Sequence, residues 1–201
     1  MPISDLNSIS LTYHNIQRRR VDLSRLRISA LQQTIAGGWL IPNPADLPIG
    51  RGRRLEAAVL FLDISDFTLR PSETQAEQDG QVRVLSLFFT EMIRVIGDYG
   101  GTVEKHTGDG LMAYFGKRSG SDSRHRAIAC AMTMFHAAEQ FINPIIRQSG
   151  LAEIGFRICI DYGSITIARL GAAQRFNHIV AIGATANRAS KMLGPRLITT
   201  T

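Results

Sequence analysis

The order of hydrophobic and polar positions predicts alternating strands and helices. EAAVLFLDI (56–64) is a compact apolar run of strand length. Residues 80–100 then carry apolar side chains at a spacing of three to four and stop at Gly100 and Gly101, which predicts a helix with a glycine exit. TVEKH and GLMAYF flank TGDG, which can supply the positive φ angles of a tight turn, so they predict a hairpin with Asp109 at its tip.

The second half of the chain continues this alternation. RHRAIACAMTMFHAAEQFINPIIRQ predicts a second long helix, interrupted late by Pro144. EIGFRICIDYG and SITIARLG predict a pair of strands around Gly163, and ATANRASKML after Gly183 predicts a short helix. The order β, α, β, β, α, β, β, α with two hairpins predicts an α+β fold, in which helices cover one side of a mainly antiparallel sheet.

The N-terminal quarter has a different pattern. Residues 12–36 are polar and helix-prone. Their apolar side chains recur at roughly helical spacing and predict one amphipathic helix: Leu23, Leu26, Leu31 and Ile35. The glycines and prolines of GGWLIPNPADLPIGRG then mark a connector. We therefore divide the chain into an N-terminal helix and linker, residues 1–54, and a main domain, residues 55–201.

The composition is that of a globular protein in water. Of 201 residues, 44% are hydrophobic and 20% charged, and no apolar run approaches the roughly 18 to 20 residues of a membrane span. The first residues lack the basic-then-apolar order of a secretory signal, so we expect a cytoplasmic protein. Cys130 and Cys159 each lie inside an apolar segment, which predicts buried thiols rather than a disulfide or a metal site.

The net charge of +6 suits a polyanionic partner, which could be a nucleic acid, a membrane surface or a nucleotide. Much of the excess lies in residues 17–27 and 51–54, before the main domain, where it could equally form a solvated basic surface. No groove-reading motif or aromatic stacking platform accompanies it, so we expect no nucleic-acid partner.

Two acids carry the first chemical signal. Asp63 ends the first predicted strand, and Asp109 lies at the hairpin tip. If these strands are neighbours, both carboxylates converge at one edge, where their repulsion is relieved by a hard divalent cation. In the alternative interpretation Asp63 caps a turn and Asp109 serves only the hairpin, and spacing alone leaves both open.

Four segments, in order, resemble the signature segments of the class III nucleotidyl cyclase catalytic domain: VLFLDISDFT, GGTVEKHTGDGLMAYFG, FRICIDYG and IVAIGATANRASKML. The resemblance covers roughly residues 55–195. It implies a ferredoxin-like sheet and a head-to-tail homodimer whose active sites contain residues of both protomers. It also implies the reaction, in which the 3′-hydroxyl of a ribonucleoside triphosphate attacks its own α-phosphorus and releases pyrophosphate.

The resemblance assigns roles to several residues of the first two segments. Asp63 and Asp109 match the two metal-binding aspartates, which implies two divalent ions, Mn²⁺ or Mg²⁺, with the Ile64 carbonyl as a further ligand. The backbone from Ile64 through Phe67 and Thr68 matches the turn whose N–H groups hold the β- and γ-phosphates. Asp66, where the family commonly has glycine, is interpreted as a turn or surface acid.

The later segments supply the other groups. Arg157 matches an arginine that binds the triphosphate, although an outward-facing strand residue is the alternative. Asn187, from the partner protomer, matches the asparagine that orients the ribose. Lys191 stands where the family has its transition-state arginine; it keeps the charge but loses bidentate geometry. Arg188 is expected to point elsewhere.

The base-reading positions depart most from the purine cyclases. Lys105 matches the first, but the second is Val180, which offers no donor or acceptor to a purine. This departure, with EKHTGDGLMAYF and IVAIGATAN, resembles the pyrimidine cyclases of bacterial Pycsar antiphage systems, whose cyclic UMP or cyclic CMP activates a separate effector protein. We expect UTP as the favoured substrate and CTP next. Candidate additional contacts to pyrimidine or phosphate are the linker arginines Arg51, Arg53 and Arg54.

Alternatives remain at this stage. Lys105 alone could suffice for an adenylate cyclase, or the domain could be a catalytically silent nucleotide-binding module. Family members continue beyond the NRASKM helix with a lysine that contacts the triphosphate, whereas the sequence ends at Thr201. We expect either a shortened C-terminal end or N-terminal arginines in the role of that lysine.

Overall fold

The computed structural model describes residues 36–37, 47–172 and 176–194, without side-chain detail at 36–37 and 172–177. The predicted amphipathic helix over residues 12–36, apart from Ala36, and the basic stretch over residues 17–27 therefore lie outside the described residues.

The fold is built on one mainly antiparallel sheet. Its strands are β1 (Ala36–Gly37), β2 (Gly52–Ile64), β3 (Thr102–His106), β4 (Gly110–Gly116), β5 (Phe156–Ala172) and β6 (Phe176–Ile182). The spatial order is β3-β4-β2-β5-β6 with antiparallel neighbours, while the short β1 pairs in parallel with β2. This confirms the predicted α+β fold and the hairpin around TGDG.

Four α-helices accompany the sheet in the described part of the chain: α1 (Gln75–Asp98), α2 (Ser123–Ala137), α3 (Asn143–Gln148) and α4 (Ala184–Met192). Helix α1 begins earlier than predicted because Thr74 and Glu77 form a capping box, each side chain bonding the other residue's backbone N–H. A π-helical turn, Ala138–Ile142, separates α2 from α3, and Pro144 lies in the first turn of α3, which confirms the predicted interruption.

Strand β2 is buried on both faces, which explains its continuous apolar run. Its even-numbered residues from Ala58 to Ile64 pack in a first core beneath α1 and α2. Its odd-numbered residues from Leu55 to Val59 pack in a second core on the opposite face, with Ala186 and Ala189 of α4. The two long helices thus lie on one side as predicted, and the short α4 covers the other.

The predicted strand pair around Gly163 is wrong, because residues 156–172 form one continuous strand, β5. The even-numbered Phe156, Ile158 and Ile160 face the first core and the odd-numbered Ile165 and Ile167 face the second, so no reversal occurs between them. Glycine is required at 163 for packing, since a Cβ there would lie 2.7 Å from Thr185 Oγ1 of α4. β5 pairs antiparallel with β2 on one edge and with β6 on the other, and the sequence pattern missed β6.

Strand β2 also begins at Gly52, three residues before the predicted start of the main domain at Leu55. Gly52, Arg53 and Arg54 pair with residues 166–168 of β5, so backbone hydrogen bonding extends the strand into a stretch that reads as a polar linker. The three arginines 51, 53 and 54 therefore lie at the start of the central strand.

We predict that Gly101→Ala destabilises the fold by about 1 to 3 kcal/mol, because the added Cβ overpacks a closed core. It would lie 2.6 Å from Phe115 Cε1 and 2.8 Å from Ile96 Cγ2, and Phe115 is fully buried. Urea titration followed by circular dichroism measures the change. The matched control is Gly97→Ala in α1, where no atom lies within 4 Å, and helix propensity favours alanine by about 0.5 to 1 kcal/mol. Equal stability of the two variants would contradict the packing argument.

Candidate active site

The chain brings the two predicted metal-binding aspartates to adjoining positions. Asp63, near the end of β2, pairs with Gly110 of β4, and Asp109 directly precedes Gly110. The Ile64 N–H donates to the Asp109 carbonyl oxygen at 2.8 Å, which fastens the hairpin tip to the end of β2. Glycine at 110 permits this approach, since a Cβ there would lie 2.7 Å from the Leu62 carbonyl oxygen. The convergence at one edge is confirmed for the backbone positions.

The donor set at this edge suits a hard divalent cation. It comprises the Asp63 and Asp109 carboxylates and the Ile64 carbonyl, all oxygen donors. Within the described ranges no three His, Cys, Asp or Glu side chains cluster tightly enough to hold a metal by themselves. Further ligands would therefore have to come from main-chain carbonyls, water or the phosphates of a substrate, as is usual where Mg²⁺ binds with a nucleotide.

Arg157 lies in this site and contacts Asp63. The two residues are directly paired across β2 and β5, and Nη2 of Arg157 is 2.6 Å from Oδ2 of Asp63. The side chains are 35% and 25% exposed, so the ion pair is only partly screened by water. Arg157 Nε is buried and has no hydrogen-bond partner among the described residues, and Nη1 is 3.4 Å from the Gly194 carbonyl oxygen. The guanidinium is thus the counter-charge of the aspartate and has donor capacity left for another anion.

The turn after β2 has fewer amides to offer phosphate than the sequence predicted. The Ile64 and Ser65 N–H groups donate to the carbonyl oxygens of Asp109 and Gly155, each at 2.8 Å. The amides of Phe67 and Thr68 begin a 3₁₀ turn and carry no hydrogen bond within the described part of the chain. The predicted Ile64–Thr68 cradle is therefore narrower, and Ile64 can contribute only its carbonyl.

Asp66 has a left-handed backbone with φ of 55°, the only positive φ at a non-glycine residue among those described. Glycine adopts this region freely and Asp tolerates it better than most residues. Asp66 thus adopts a conformation suited to the glycine that the cyclase resemblance implies at this position, which supports the interpretation of Asp66 as a turn residue.

A β-bulge orients Lys105. Val103 pairs with Ala113 and Lys105 with Met112, so Glu104 is an extra residue on β3. Val103 and Ala113 belong to the first core, whereas Met112 belongs to the second, so the bulge turns Lys105 to the face that carries Asp63. Strict alternation would have placed Lys105 on the opposite face.

Val180 lies close to β3, although β3 and β6 are at opposite ends of the sheet order. The contact is made by Glu104, whose Oε2 accepts a hydrogen bond from the N–H of Ala181 at 2.9 Å. The sequence analysis did not select Glu104, and its only signal was an acid beside the base-reading lysine. β6 therefore comes close to β3 over the second face, with Ile179 and Ala181 turned toward the second core and Val180, which lies between them, turned away from it.

Asn187 and Lys191 lie one turn apart on α4 and are both exposed. No described contact joins them to Asp63 or Asp109 of the same chain. The neighbouring Arg188 forms an ion pair with Asp161 at 2.8 Å, so its side chain is engaged elsewhere, as expected.

The two cysteines do not have the properties of a nucleophile. Cys130 and Cys159 are free thiols; burial raises the pKa of Cys130 to about 12 and also raises that of Cys159, so neither is an activated thiolate at neutral pH. Among the described helices, none combines the length and the apolar character that a membrane crossing requires.

Comparisons with curated proteins give similarities to cyclases. The chain is 26% identical over 176 residues to a uridylate cyclase of Rhodovulum sp. (strain MB263), covering 83% of this chain and 70% of that protein. It is 28% identical over 171 residues to a uridylate cyclase of Burkholderia cepacia, covering 80% and 72%. It is 32% identical over 143 residues to adenylate cyclase 1 of Rhizobium meliloti (strain 1021), covering 70% of this chain but only 21% of that longer protein.

Solved structures agree with the fold described above. The guanylyl cyclase Cya2 superposes with a TM-score of 0.63 at 26% identity, covering 71% of each chain. The adenylyl cyclase CyaB from P. aeruginosa superposes with a TM-score of 0.61 at 26% identity, covering 71% of this chain and 72% of that one. The family described as the adenylate and guanylate cyclase catalytic domain matches residues 52–194, from the first residue of β2 to the residues after α4. Since this match spans well over half of the sequence, the chain belongs to the class III nucleotidyl cyclase family.

Proposed function

We propose that the protein converts a pyrimidine ribonucleoside triphosphate, UTP in preference to CTP, to its 3′,5′-cyclic monophosphate and pyrophosphate. The observation that carries the proposal is the meeting of Asp63, Asp109 and Arg157 at one end of the central strand. The pyrimidine preference rests on the apolar Val180 and on the two relatives named uridylate cyclase. By the same similarity we propose that the product is a messenger for a separate effector protein in antiphage defence.

In this proposal Asp63, Asp109 and the Ile64 carbonyl hold two divalent ions, Mn²⁺ or Mg²⁺. Such ions lower the pKa of an attacking hydroxyl and neutralise the charge of a triphosphate. Arg157 releases Asp63 and binds phosphate oxygens, for which its planar array of donors is suited. The amides of Phe67 and Thr68 bind the terminal phosphates.

The remaining groups come from a partner protomer in a head-to-tail homodimer. Asn187 hydrogen-bonds the ribose and fixes the 3′-hydroxyl in line with the α-phosphorus. Lys191 donates to a non-bridging oxygen of the α-phosphate as negative charge develops there. Both side chains are exposed on α4, as residues that serve a neighbouring protomer must be before assembly.

The base lies between the strands of Lys105 and Val180. Lys105 donates to a carbonyl oxygen of the pyrimidine. Val180 leaves the polar edge of adenine without a partner, which costs about 1 to 3 kcal/mol and one to two decades of selectivity. An adenylate cyclase is the second candidate, favoured by Lys105 and by the 32% identity to adenylate cyclase 1.

The direct experiment incubates the full chain and Mn²⁺ with each of the four ribonucleoside triphosphates and identifies products by mass spectrometry. We expect cyclic UMP, less cyclic CMP and little cyclic AMP. Asp63→Asn and Asp109→Asn should each reduce the rate at least about a hundredfold, because the carboxylate charge at the metal site is lost. The control is Asp79→Asn on the exposed surface of α1. Cyclic AMP as the main product would leave the adenylate alternative, and full activity of both Asn variants would overturn the metal assignment.

A mixing experiment tests the shared sites. Asp109→Asn and Asn187→Ala should each be nearly inactive alone, whereas an equal mixture of the two should recover roughly one quarter of wild-type activity. Half of randomly formed dimers would be mixed, and each mixed dimer would contain one intact site of two. Activity is measured after subunit exchange, with each variant incubated alone as the control. A mixture no more active than its parts would exclude sites composed of two protomers.

The ion pair between Arg157 and Asp63 predicts competition with the metal. Arg157→Gln should tighten Mn²⁺ binding to the nucleotide-free protein about two- to fivefold, because the cation no longer displaces a guanidinium from Asp63. Electron paramagnetic resonance of free Mn²⁺ measures this directly. The matched control is Arg188→Gln, which breaks the similar pair with Asp161 away from the site. Equal or weaker Mn²⁺ affinity in Arg157→Gln would contradict the competition.

A further inference from the structure

We infer that Glu104 is a positioning residue for base selection, which fixes the distance between the Lys105 strand and the Val180 strand through its hydrogen bond to Ala181. The inference rests on the proposed function for the identity of the pocket. The anchoring contact itself is independent of it.

The contact is unusual for a sheet because it joins the two outermost strands. In the order β3-β4-β2-β5-β6, β3 and β6 are separated by three other strands. The second half of β5 carries β6 over the second face, since Ile165 and Ile167 of β5 and Ile179 and Ala181 of β6 all pack in the second core. The side chain of Glu104 then reaches the backbone of β6, 77 residues away in sequence.

The hydrogen bond holds β6 at the position next to Val180. Ala181 pairs with Ile167 of β5, but its N–H points away from β5 and donates to Glu104 Oε2 at 2.9 Å. β6 is an edge strand in this sheet, and an edge N–H without a partner is costly once it is half-buried. The carboxylate therefore satisfies a main-chain donor directly beside Val180.

The same residue orients the first base-reading residue. Glu104 is the extra residue of the bulge, and the bulge is what turns Lys105 to the second face. A bulge is stabilised when its extra residue has a fixed partner, and here the partner is β6. Glu104 thus takes part both in the bulge that orients Lys105 and in the hydrogen bond that holds β6 next to Val180. The sequence alone gives no sign that these two features are connected.

The side chain of Glu104 is partly buried. Burial raises its pKa, against the opposing effects of the Ala181 N–H and the neighbouring Lys105. Burial, together with the negative charge of Glu104, also raises the pKa of Tyr114, which lies in the second core. A carboxylate that served only solubility would lie in water instead.

The test compares Glu104→Ala, which removes the acceptor, with Glu104→Gln, which keeps an acceptor oxygen of the same reach. We expect Glu104→Ala to reduce the ratio of kcat/KM for the preferred nucleoside triphosphate to that for its closest competitor by about tenfold, mainly through KM. Glu104→Gln should keep the ratio within about twofold of wild type. The control is Glu139→Ala, which removes an exposed carboxylate from the π-helical turn between α2 and α3.

Two further measurements keep the outcome decisive. Amide exchange of Ala181, followed by NMR, should accelerate in Glu104→Ala and stay slow in Glu104→Gln. If Glu104→Ala does not fold, Glu104→Asp, whose shorter side chain cannot reach Ala181, replaces it in every comparison.

The failure of this inference can be told apart from failure of the proposed function. If the wild type forms no cyclic nucleotide from any triphosphate, the proposed function fails, and the same ratio is then measured from the binding of fluorescent UTP and ATP analogues. A ratio that is unchanged in Glu104→Ala, by turnover or by binding, would show that the hydrogen bond only stabilises the fold and would overturn the positioning role.

Discussion

The structure depends on a central strand that is hydrogen-bonded on both edges and buried on both faces. β2 pairs with β4 over residues 57–63 on one side and with β5 over its whole length, residues 52–64, on the other. Every residue from Ala57 to Leu60 is inaccessible to solvent. Because a slip of one residue would exchange the two cores, the register of β2 is strongly determined. The same pairing fixes the position at which the apolar run of β2 ends.

Charged side chains lie at that end of β2, where Asp63 forms an ion pair with Arg157. Asp63 occupies the last position on the second face before the chain leaves the sheet, and the pairing that fixes β2 also sets Gly110 and Arg157 beside it. An acid there lies against main-chain dipoles and one guanidinium rather than in open water. The ion pair with Arg157 offsets the desolvation of the Asp63 carboxylate. In the proposed function, a divalent cation and a triphosphate would replace this pair with a larger number of contacts between opposite charges.

The parts of the fold that the sequence predicted are those encoded by local pattern. The run EAAVLFLDI is apolar over the length of a strand, the TGDG turn contains its own glycines, and the helix ATANRASKML lies between Gly183 and Gly194; the structure confirms all three. The roles of the site residues were predicted from the resemblance to cyclases and not from the spacing of the acids. Asp63 and Asp109 alone were compatible with two ordinary structural roles.

What the sequence did not predict depends on contacts distant along the chain. Gly163 resembles a turn residue, but it is small because α4 packs on it, which no local window reveals. Glu104, at the bulge, accepts a hydrogen bond from a residue 77 positions away, and the ion pair of Arg157 with Asp63 spans 94 residues. The bonds of the Ile64 and Ser65 amides to Asp109 and Gly155 occupy two amides of the predicted phosphate-binding turn, and they form only when β2, β4 and β5 have assembled.

The contact between Gly163 and Thr185 has a consequence for how this domain can evolve. The first turn of α4 packs on the backbone of β5 at Gly163, where an added Cβ would lie 2.7 Å from Thr185 Oγ1. A larger residue there would have to displace the Thr185 side chain or shift the first turn of α4, the helix that carries Asn187 and Lys191. In the proposed shared sites, a substitution at Gly163 of one copy would then alter a reaction whose metal-binding groups lie in the other copy.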